Sequence, residues 1–281
     1  MSEAQPAVVP HKLTVIGGGK MGGPFVTRVV ETGLLPPQRV VVSEPLAAAR
    51  ERLSARLGIA AVSDNREAVQ GASAVLLAVT PAVIPTVLDG LQGHLEPEQL
   101  VLSIAAGVTL ETLQEGLQHQ AVVRVMPNTP AQVGQGISAW FAGPAVSERQ
   151  KGETRSVLRT VGREIEVDRE RTLDMVTAVS ASGPAWVMLV VEAMIDAGVQ
   201  IGLQPDLARE LVYQTMSGSI ELARETGKHP AELRNMVTTP GGTTAAGLYA
   251  MERAGLRGAV AGGIVAAYER SLALGEAARK G

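Results

Sequence analysis

The chain has 281 residues, of which 46% are hydrophobic, so it is long enough for two domains with a sizeable core. Its net charge of −3 gives no electrostatic footprint for nucleic acid. The absence of cysteine excludes disulfides, thiolate metal sites and a cysteine nucleophile, and it fits a cytoplasmic location. The segment from Met1 to His11 lacks a signal-peptide pattern, and no apolar run approaches the ~20 residues of a membrane span.

The first half of the chain alternates short apolar runs with helical patterns. This alternation predicts an α/β fold with a parallel sheet that is covered by helices on both faces. The predicted strands are Leu13–Ile16, Arg39–Ser43, Val75–Val79, Leu100–Ile104, Val122–Met126, Gly136–Phe141 and Glu164–Val167. Helices are predicted from about Met21 to Glu31, from Pro45 to Leu57, after Pro81, and from Ser147 to Val161.

The pattern changes after Asp168, where strand signals cease. The remaining chain predicts helices at Leu173–Val179, Pro184–Gln200, Pro205–Glu225, Thr243–Arg253 and Gly258–Ala278. The helix from Pro184 is apolar nearly all round, and a helix of that kind is usually buried. We therefore predict two domains, 1–168 and 169–281, of which the second is an all-α dimerisation domain that buries its helices against a second subunit.

A glycine-rich turn, Gly17-Gly18-Gly19-Lys20-Met21-Gly22, joins the first predicted strand to the first helix. It fits the G-x-G-x-x-G pattern in the strand–turn–helix context that dinucleotide binding requires. The first glycine allows the tight turn, the second lets the backbone approach a pyrophosphate, and the third permits close packing of helix and strand. The first domain is therefore predicted to be of the Rossmann type, and an unliganded glycine turn is the alternative.

The second strand ends in Ser43-Glu44-Pro45. An acidic residue about 20 positions after the glycines usually accepts a hydrogen bond from the adenine ribose 2′-hydroxyl, which favours NADH. Ser43 could instead accommodate the 2′-phosphate of NADPH, with Arg50 or Arg66 folding over it. Glu44 could also be a surface charge beside a helix start, so the cofactor is left as NADPH or NADH.

A second conspicuous segment is Val237-Thr238-Thr239-Pro240-Gly241-Gly242-Thr243-Thr244, directly before a predicted helix. Free backbone N–H groups and hydroxyls at a helix N-terminus can hold a small anion, most simply a carboxylate. Ordinary helix capping is the alternative, but one threonine suffices for a cap. Together the two segments suggest a reductase for a small carboxylated substrate.

Further blocks occur in a fixed order between these segments: Ala78-Val79-Thr80-Pro81, Ser103-Ile104-Ala105-Ala106-Gly107, Arg124-Val125-Met126-Pro127-Asn128-Thr129-Pro130 and Ser180-Ala181-Ser182-Gly183-Pro184-Ala185-Trp186. With them the chain resembles pyrroline-5-carboxylate reductase over about residues 12–278. That family reduces a carboxylated five-membered cyclic imine to L-proline with NADPH or NADH. Its members join a Rossmann domain to a helical domain that interleaves with a partner, and rings of dimers are common.

The resemblance also implies roles for individual residues. Gly241, Gly242, Thr243 and Thr244 would bind the substrate carboxylate and ring, and Thr244 would hydrogen-bond the imine nitrogen as the catalytic residue. The implied cofactor-binding residues are Ile16, Gly17, Gly18, Gly19, Lys20 and Met21 at the pyrophosphate, Ser43, Glu44 and Asn65 around the adenine ribose, and Ala78, Val79, Thr80, Pro81, Ile104, Ala105 and Ala106 towards the nicotinamide. No metal is expected.

Two other functions remain open. A β-hydroxyacid dehydrogenase relative would carry a catalytic lysine on the long helix after the linker, and no lysine lies between Leu173 and Gln200. A non-catalytic dinucleotide-binding redox sensor would keep the glycines without needing Thr243 and Thr244. The four histidines show no metal-ligand spacing and are interpreted as surface residues. Arg124 could meet a carboxylate or phosphate, or serve the surface or a dimer contact.

Overall fold

The computed structural model describes the backbone of residues 8–280 and the side chains of residues 8–275. Two compact units are present. The first comprises the described chain up to Ser182 together with the chain from Ala267 onwards, and the second is Gly183–Ala266. The sequence places the domain boundary earlier, after residue 168, where strand signals end; that division stays a prediction.

The first unit contains a mixed eight-stranded sheet in the order β3-β2-β1-β4-β5-β6-β7-β8. The strands are β1 (Leu13–Ile16), β2 (Val40–Ser43), β3 (Ala60–Val62), β4 (Ala74–Leu77), β5 (Leu100–Ser103), β6 (Val122–Met126), β7 (Gly136–Ala142) and β8 (Gly162–Glu166). Its helices are α1 (Gly22–Glu31), α2 (Ala47–Leu57), α3 (Asn65–Val69), α4 (Ile84–Leu91), α5 (Leu110–Leu117), α6 (Glu148–Arg159) and α7 (Thr172–Val176). The order reverses at β1 and β4, which is the doubly wound arrangement of a Rossmann-type domain.

The sheet is not parallel throughout. Strands β1 to β6 run parallel, but β7 is antiparallel to β6, with Met126 opposite Ala139, and β8 is parallel to β7. The connection from β6 to β7 holds only a 3₁₀ turn, Thr129–Val133. A parallel return needs a crossover of a dozen or more residues, usually a helix, so the short link forces the reversal. Helix α6 supplies that crossover for β8.

The core of this unit lies on both faces of the sheet. In β4, Ala74 and Leu76 belong to one buried cluster, whereas Val75 and Leu77 belong to the other. The first cluster includes residues of α1, α2 and α6, and the second includes residues of α4 and α5. Burial on both faces explains why β1, β2, β4, β5 and β6 are buried at every position and are mostly apolar without alternation.

The second unit is helical. It contains α8 (Gly183–Gln200), α9 (Pro205–Thr226), α10 (Pro230–Met236), α11 (Thr243–Arg253) and most of α12 (Leu256–Lys280). A π-helical turn, Thr177–Ala181, leads from α7 towards α8. Of the apolar side chains in this unit, those described as buried are Val191, Ala208 and Val212.

Large apolar side chains are exposed along the same helices and in the turn after α8, among them Met188, Leu189, Ile201, Tyr213, Ile220 and Tyr249. Exposed apolar side chains in this number are typical of an interface with another protein. In a single chain, the helices of this unit thus expose apolar surface, as the sequence predicts for a domain that is covered by a partner subunit.

Candidate active site

A cavity of about 610 Å³ opens at the carboxyl ends of β1, β2, β4 and β5. In an open parallel sheet, ligands bind beyond these strand ends at the point where the strand order reverses. Except for Gly18, all the cofactor residues predicted from the sequence line this cavity: Ile16, Gly17, Gly19, Lys20, Met21, Ser43, Glu44, Asn65, Ala78, Val79, Thr80, Pro81, Ile104, Ala105 and Ala106.

The cavity is also lined by five residues that the sequence reasoning missed. They are Pro45, Ser63, Val83, Thr86 and Val87. Ser63 directly follows β3, a three-residue edge strand that was not predicted. The proline at position 81 begins a 3₁₀ turn that leads into α4, and this turn brings Val83, Thr86 and Val87 to the cavity. In the sequence, only the helical spacing after Pro81 indicates that these three residues share a face with the cavity.

The glycines at the ends of the loop are required by the fold itself. Gly17 has a φ of +96°, which favours glycine, and its N–H donates to the Ser43 carbonyl at 2.8 Å. A Cβ on Gly22 would lie 1.9 Å from the Gly17 carbonyl oxygen. The close approach of α1 to the first strand therefore excludes any side chain at position 22.

Gly19 is different, because a Cβ there would meet no protein atom within 4 Å. The backbone N–H groups of Gly19, Lys20 and Met21 donate no hydrogen bond within residues 8–275. Free donors at the start of a ten-residue helix attract an anionic group through both hydrogen bonding and the helix dipole. The open space above Gly19 and these donors fit the pyrophosphate of a dinucleotide.

Around the adenine side, the predicted residues are already engaged with one another. The Ser43 hydroxyl donates to the Asn65 Oδ1 at 2.6 Å. Glu44 is buried, and its Oε2 accepts from the Gly18 N–H at 2.9 Å while its Oε1 accepts from the Leu46 N–H at 3.1 Å. Arg50 donates to the carbonyl oxygens of Glu44 and Pro45, at 2.8 Å each.

In the second unit, the Pro-Gly-Gly turn leads into α11 as predicted. Gly241 has a φ of +72°, and Gly242 is the N-cap residue, whose N–H donates to the Thr239 carbonyl at 3.0 Å. The hydroxyls of Thr243 and Thr244, in the first turn of α11, form no hydrogen bond within the described side chains. This helix end therefore presents hydroxyl and N–H donors that capping does not consume.

Not every hydroxyl of this segment is free. The Thr238 hydroxyl donates to the Arg234 carbonyl at 2.7 Å, at the end of α10. The group available for a ligand is thus smaller than the four hydroxyls that the sequence suggests. Roles for Gly241, Gly242, Thr243 and Thr244 in substrate binding stay predictions.

Two of the ionisable groups discussed from sequence have internal partners. Arg124 is buried and donates to Glu170 at 2.5 Å, and the same Glu170 oxygen accepts from the Leu110 N–H at 2.7 Å. His119 was interpreted as a surface residue, and this was wrong. Its side chain is buried with Nε2 at 2.7 Å from the Gln99 carbonyl, because the turn after α5 folds it beneath the start of β5.

No group of three or more His, Asp or Glu side chains within the described residues could hold a metal ion. Burial raises the pKa of Glu153, and the neighbouring Arg149 opposes that shift. Both residues lie on α6, and Glu153 does not line the cavity. Apart from Lys20, Glu44 and the amide of Asn65, the residues that line the cavity supply backbone groups, hydroxyls and apolar walls.

Comparison with known proteins identifies the two halves separately and the whole chain together. Residues 170–274 match the family model described as pyrroline-5-carboxylate reductase dimerisation, and residues 12–107 match NADP oxidoreductase coenzyme F420-dependent. The pyrroline-5-carboxylate reductase of Synechocystis is 41% identical over 94% of this chain and 98% of its own length. The pea enzyme of the same name is 37% identical over 93% of this chain and 95% of its own.

The chain belongs to the pyrroline-5-carboxylate reductase family. Two solved members support the fold over most of the chain. The Coxiella burnetii enzyme has a TM-score of 0.88 at 34% identity, covering 94% of this chain and 98% of that one. The Plasmodium falciparum enzyme, solved with NADP bound, has a TM-score of 0.85 at 30% identity, with the same coverage. The α/β fold with an N-terminal NAD(P)-binding domain and a C-terminal helical dimerisation domain is confirmed.

Membership of the reductase family also accounts for an apolar helix that the sequence reasoning underestimated. The helical stretch Thr172–Gln200 is long and apolar enough to cross a membrane by length and composition, with a mean hydropathy of 1.6 over an 18-residue window. It lies inside the region matched as the dimerisation domain, and it carries Glu192 and Asp196. A subunit interface explains its exposed apolar side chains without a membrane.

Proposed function

We propose that this chain reduces 1-pyrroline-5-carboxylate to L-proline with NADPH or NADH, the final step of proline biosynthesis. The observation that carries this proposal is membership of the reductase family at 41% identity over nearly the full length of a member. The cavity at the strand ends supports it independently, because its lining residues and free donors fit a dinucleotide.

The chemistry requires little of ionisable side chains. The carbon of the substrate C=N bond takes a hydride and the ring nitrogen carries a proton, so the double bond becomes a secondary amine. The bound reduced dinucleotide supplies that hydride. A protonated iminium is already electrophilic, so positioning the ring supplies much of the rate.

The substrate-binding role falls to the start of α11. We assign the substrate carboxylate and ring to Gly241, Gly242, Thr243 and Thr244, whose N–H and hydroxyl donors suit a carboxylate at a helix N-terminus. The Thr244 hydroxyl is assigned a hydrogen bond to the imine nitrogen. The remaining cofactor residues keep the places given by the resemblance: Ile16 to Met21 at the pyrophosphate, Ser43, Glu44 and Asn65 around the adenine ribose, and Ala78 to Pro81 with Ile104 to Ala106 towards the nicotinamide.

Dimerisation is supported by the matched dimerisation region and by the exposed apolar helices of the second unit. We further propose that dimers assemble into a ring and that the enzyme is cytoplasmic, which the cysteine-free sequence fits. Sedimentation velocity measures the mass of the assembly, and a dimer that does not associate further at any concentration contradicts the ring.

The test of the activity is oxidation of NADH and of NADPH by the purified protein, followed by absorbance with pyrroline-5-carboxylate. A second series uses the six-membered homologue of this imine, and reactions without imine are the blank. Rapid oxidation with the five-membered imine supports the proposal. Dinucleotide binding without oxidation of either cofactor contradicts it and favours the non-catalytic sensor.

A further inference from the structure

Glu44 stands at the carboxyl end of the second strand, where an acidic residue commonly binds the adenine ribose. Its side chain is buried and 8% exposed. Each carboxylate oxygen accepts one backbone N–H, from Gly18 at 2.9 Å and from Leu46 at 3.1 Å. The carboxylate therefore bridges the glycine loop and the residue that precedes α2.

The position of Gly18 shows what this bridge does. Gly18 is the one predicted cofactor residue in the loop that does not line the cavity. Its N–H donates to the carboxylate of Glu44, and a Cβ at this position would lie 2.7 Å from Cδ1 of Leu53 on α2. The middle of the loop is thus held against Glu44 and against Leu53 of α2.

The next three residues have the opposite property. The N–H groups of Gly19, Lys20 and Met21 donate no hydrogen bond within the described chain, although these residues line the cavity. A hydrogen bond to a charged acceptor is about twice as strong as a neutral one and fixes the peptide that donates it. By fixing the Gly18 peptide, the carboxylate also fixes the position of the free N–H groups that follow it in the loop.

The main chain at Glu44 is fixed by a side chain of α2. The guanidinium of Arg50 donates to the carbonyl oxygens of Glu44 and Pro45, at 2.8 Å each. No ion pair is described for the Glu44 side chain, so its bound partners are backbone N–H groups. The charge of the carboxylate is therefore directed at the loop.

We propose that Glu44 is a positioning residue for the phosphate-binding loop and does not select between NADH and NADPH. The proposal rests on the assigned dinucleotide function of the cavity. Its consequence is specific: loss of the carboxylate disturbs the pyrophosphate site, which the two dinucleotides share. A ribose-reading carboxylate would instead affect the two cofactors in opposite directions, since they differ only at the ribose 2′ position.

The experiment measures the Kd of NADH and of NADPH by their fluorescence, in the absence of imine, for the full-length protein and for Glu44→Ala. We expect both dissociation constants to rise about tenfold or more, with their ratio changed by less than about twofold. Because no imine is present, this result does not depend on whether the enzyme turns over pyrroline-5-carboxylate; turnover by the unaltered protein is measured separately.

Two further variants separate positioning from general loss of charge or fold. Glu51→Gln removes an exposed carboxylate on α2 and should leave both dissociation constants unchanged. Glu44→Gln keeps one acceptor oxygen, so its dissociation constants should lie between those of the unaltered protein and of Glu44→Ala. It also serves as the measured variant if Glu44→Ala does not fold, as thermal unfolding would reveal.

Two results overturn the proposal. Weaker NADH binding with unchanged or tighter NADPH binding in Glu44→Ala assigns the carboxylate to the ribose. Unchanged binding of both dinucleotides shows that the loop binds them without the hydrogen bonds of Glu44.

Discussion

Glycines in the same loop are needed for different physical reasons. Gly22 is excluded from bearing a side chain by the Gly17 carbonyl, whereas Gly19 faces open space. A substitution that the fold tolerates but the ligand does not is therefore available at position 19. The motif already predicts this distinction, since its second glycine lets the backbone approach a pyrophosphate and its third permits close packing of helix and strand.

We expect Gly19→Ala to fold with a Tm close to that of the unaltered protein and to bind NADPH and NADH at least about tenfold more weakly. Gly22→Ala should instead destabilise the protein by about 3 kcal/mol, because its Cβ cannot fit beside the first strand. Thermal unfolding and dinucleotide fluorescence measure the two effects. As a control, Gly90→Ala on α4 adds a Cβ with no atom within 4 Å and should preserve binding. Normal dinucleotide affinity in Gly19→Ala would remove the loop from the binding site.

The Thr244 hydroxyl forms no hydrogen bond within residues 8–275, so its removal should cost function and not stability. We expect Thr244→Val to lower kcat with pyrroline-5-carboxylate by about a hundredfold while the Kd of NADPH changes by less than about twofold. Thr226→Val, which removes an exposed hydroxyl that donates to the Leu222 carbonyl at 2.7 Å and accepts from the Lys228 N–H at 3.4 Å, is the matched control. Equal activity of the two variants would remove Thr244 from the mechanism.

Among the secondary-structure elements, α6 carries a charge where the fold disfavours one. Burial raises the pKa of Glu153 above its ordinary value of 4.5, although Arg149 contacts one of its oxygens. Its Oε2 has no hydrogen-bond partner among the described atoms. The folded protein therefore binds this proton more tightly than the unfolded chain does, so ionisation of Glu153 lowers the free energy of unfolding as pH rises through the window above 4.5.

We expect Glu153→Gln to be more stable than the unaltered protein by about 1 kcal/mol at pH 7, because a neutral amide avoids burial of the charge. The advantage should shrink as pH falls and vanish below 4.5, where the carboxyl is protonated in both states. Urea unfolding at pH 4 and pH 7 measures it. Glu115→Gln, an exposed change on α5, should show no such pH dependence. A pH-independent difference would contradict the role of burial.

The sequence predicted the long elements well. Strands β1 and β6 and helix α11 have the predicted bounds, because buried apolar runs and a Pro-Gly-Gly turn are strong local signals. Helices α3 and α10 and strand β3 were missed. They have five, seven and three residues, too few for a periodic pattern to emerge.

The candidate site was predictable where it follows strand ends and unpredictable where it depends on side-chain partners. The residues after β1, β2, β4 and β5 were found because parallel strands bring their carboxyl ends to one edge. The sequence could not reveal that Glu44 is bonded to Gly18, nor that Arg124 is bonded to Glu170. Those contacts are set by the packing of distant segments and carry no local pattern.

For the molecule as a whole, the main feature is the contrast between a sheet unit buried on both faces and a helical unit with few buried apolar side chains. Such a helical unit reaches a stable fold by covering its apolar helices with a partner. The contrast was foreseen only from the apolar helix that follows Pro184.

We expect Leu189→Glu to shift the protein from dimer to monomer and to lower its Tm, because Leu189 is 64% exposed on α8 in one chain and a charge there opposes burial in an interface. Sedimentation velocity over a range of protein concentrations measures the mass. Val133→Glu, at a side chain 70% exposed in the sheet unit, is the control and should leave the dimer intact. A stable folded monomer of the unaltered chain at micromolar concentration would argue against an obligate dimer.

The uneven distribution of buried side chains between the two units also sets the order of events during folding. Collapse of the sheet unit involves one chain and is a first-order process, whereas completion of the helical unit requires an encounter between two chains and is second order. At low concentration a newly synthesised chain therefore has a folded nucleotide-binding unit, whereas its helical unit stays incompletely folded until the chain dimerises. The yield of working enzyme then depends on how fast copies of the chain meet.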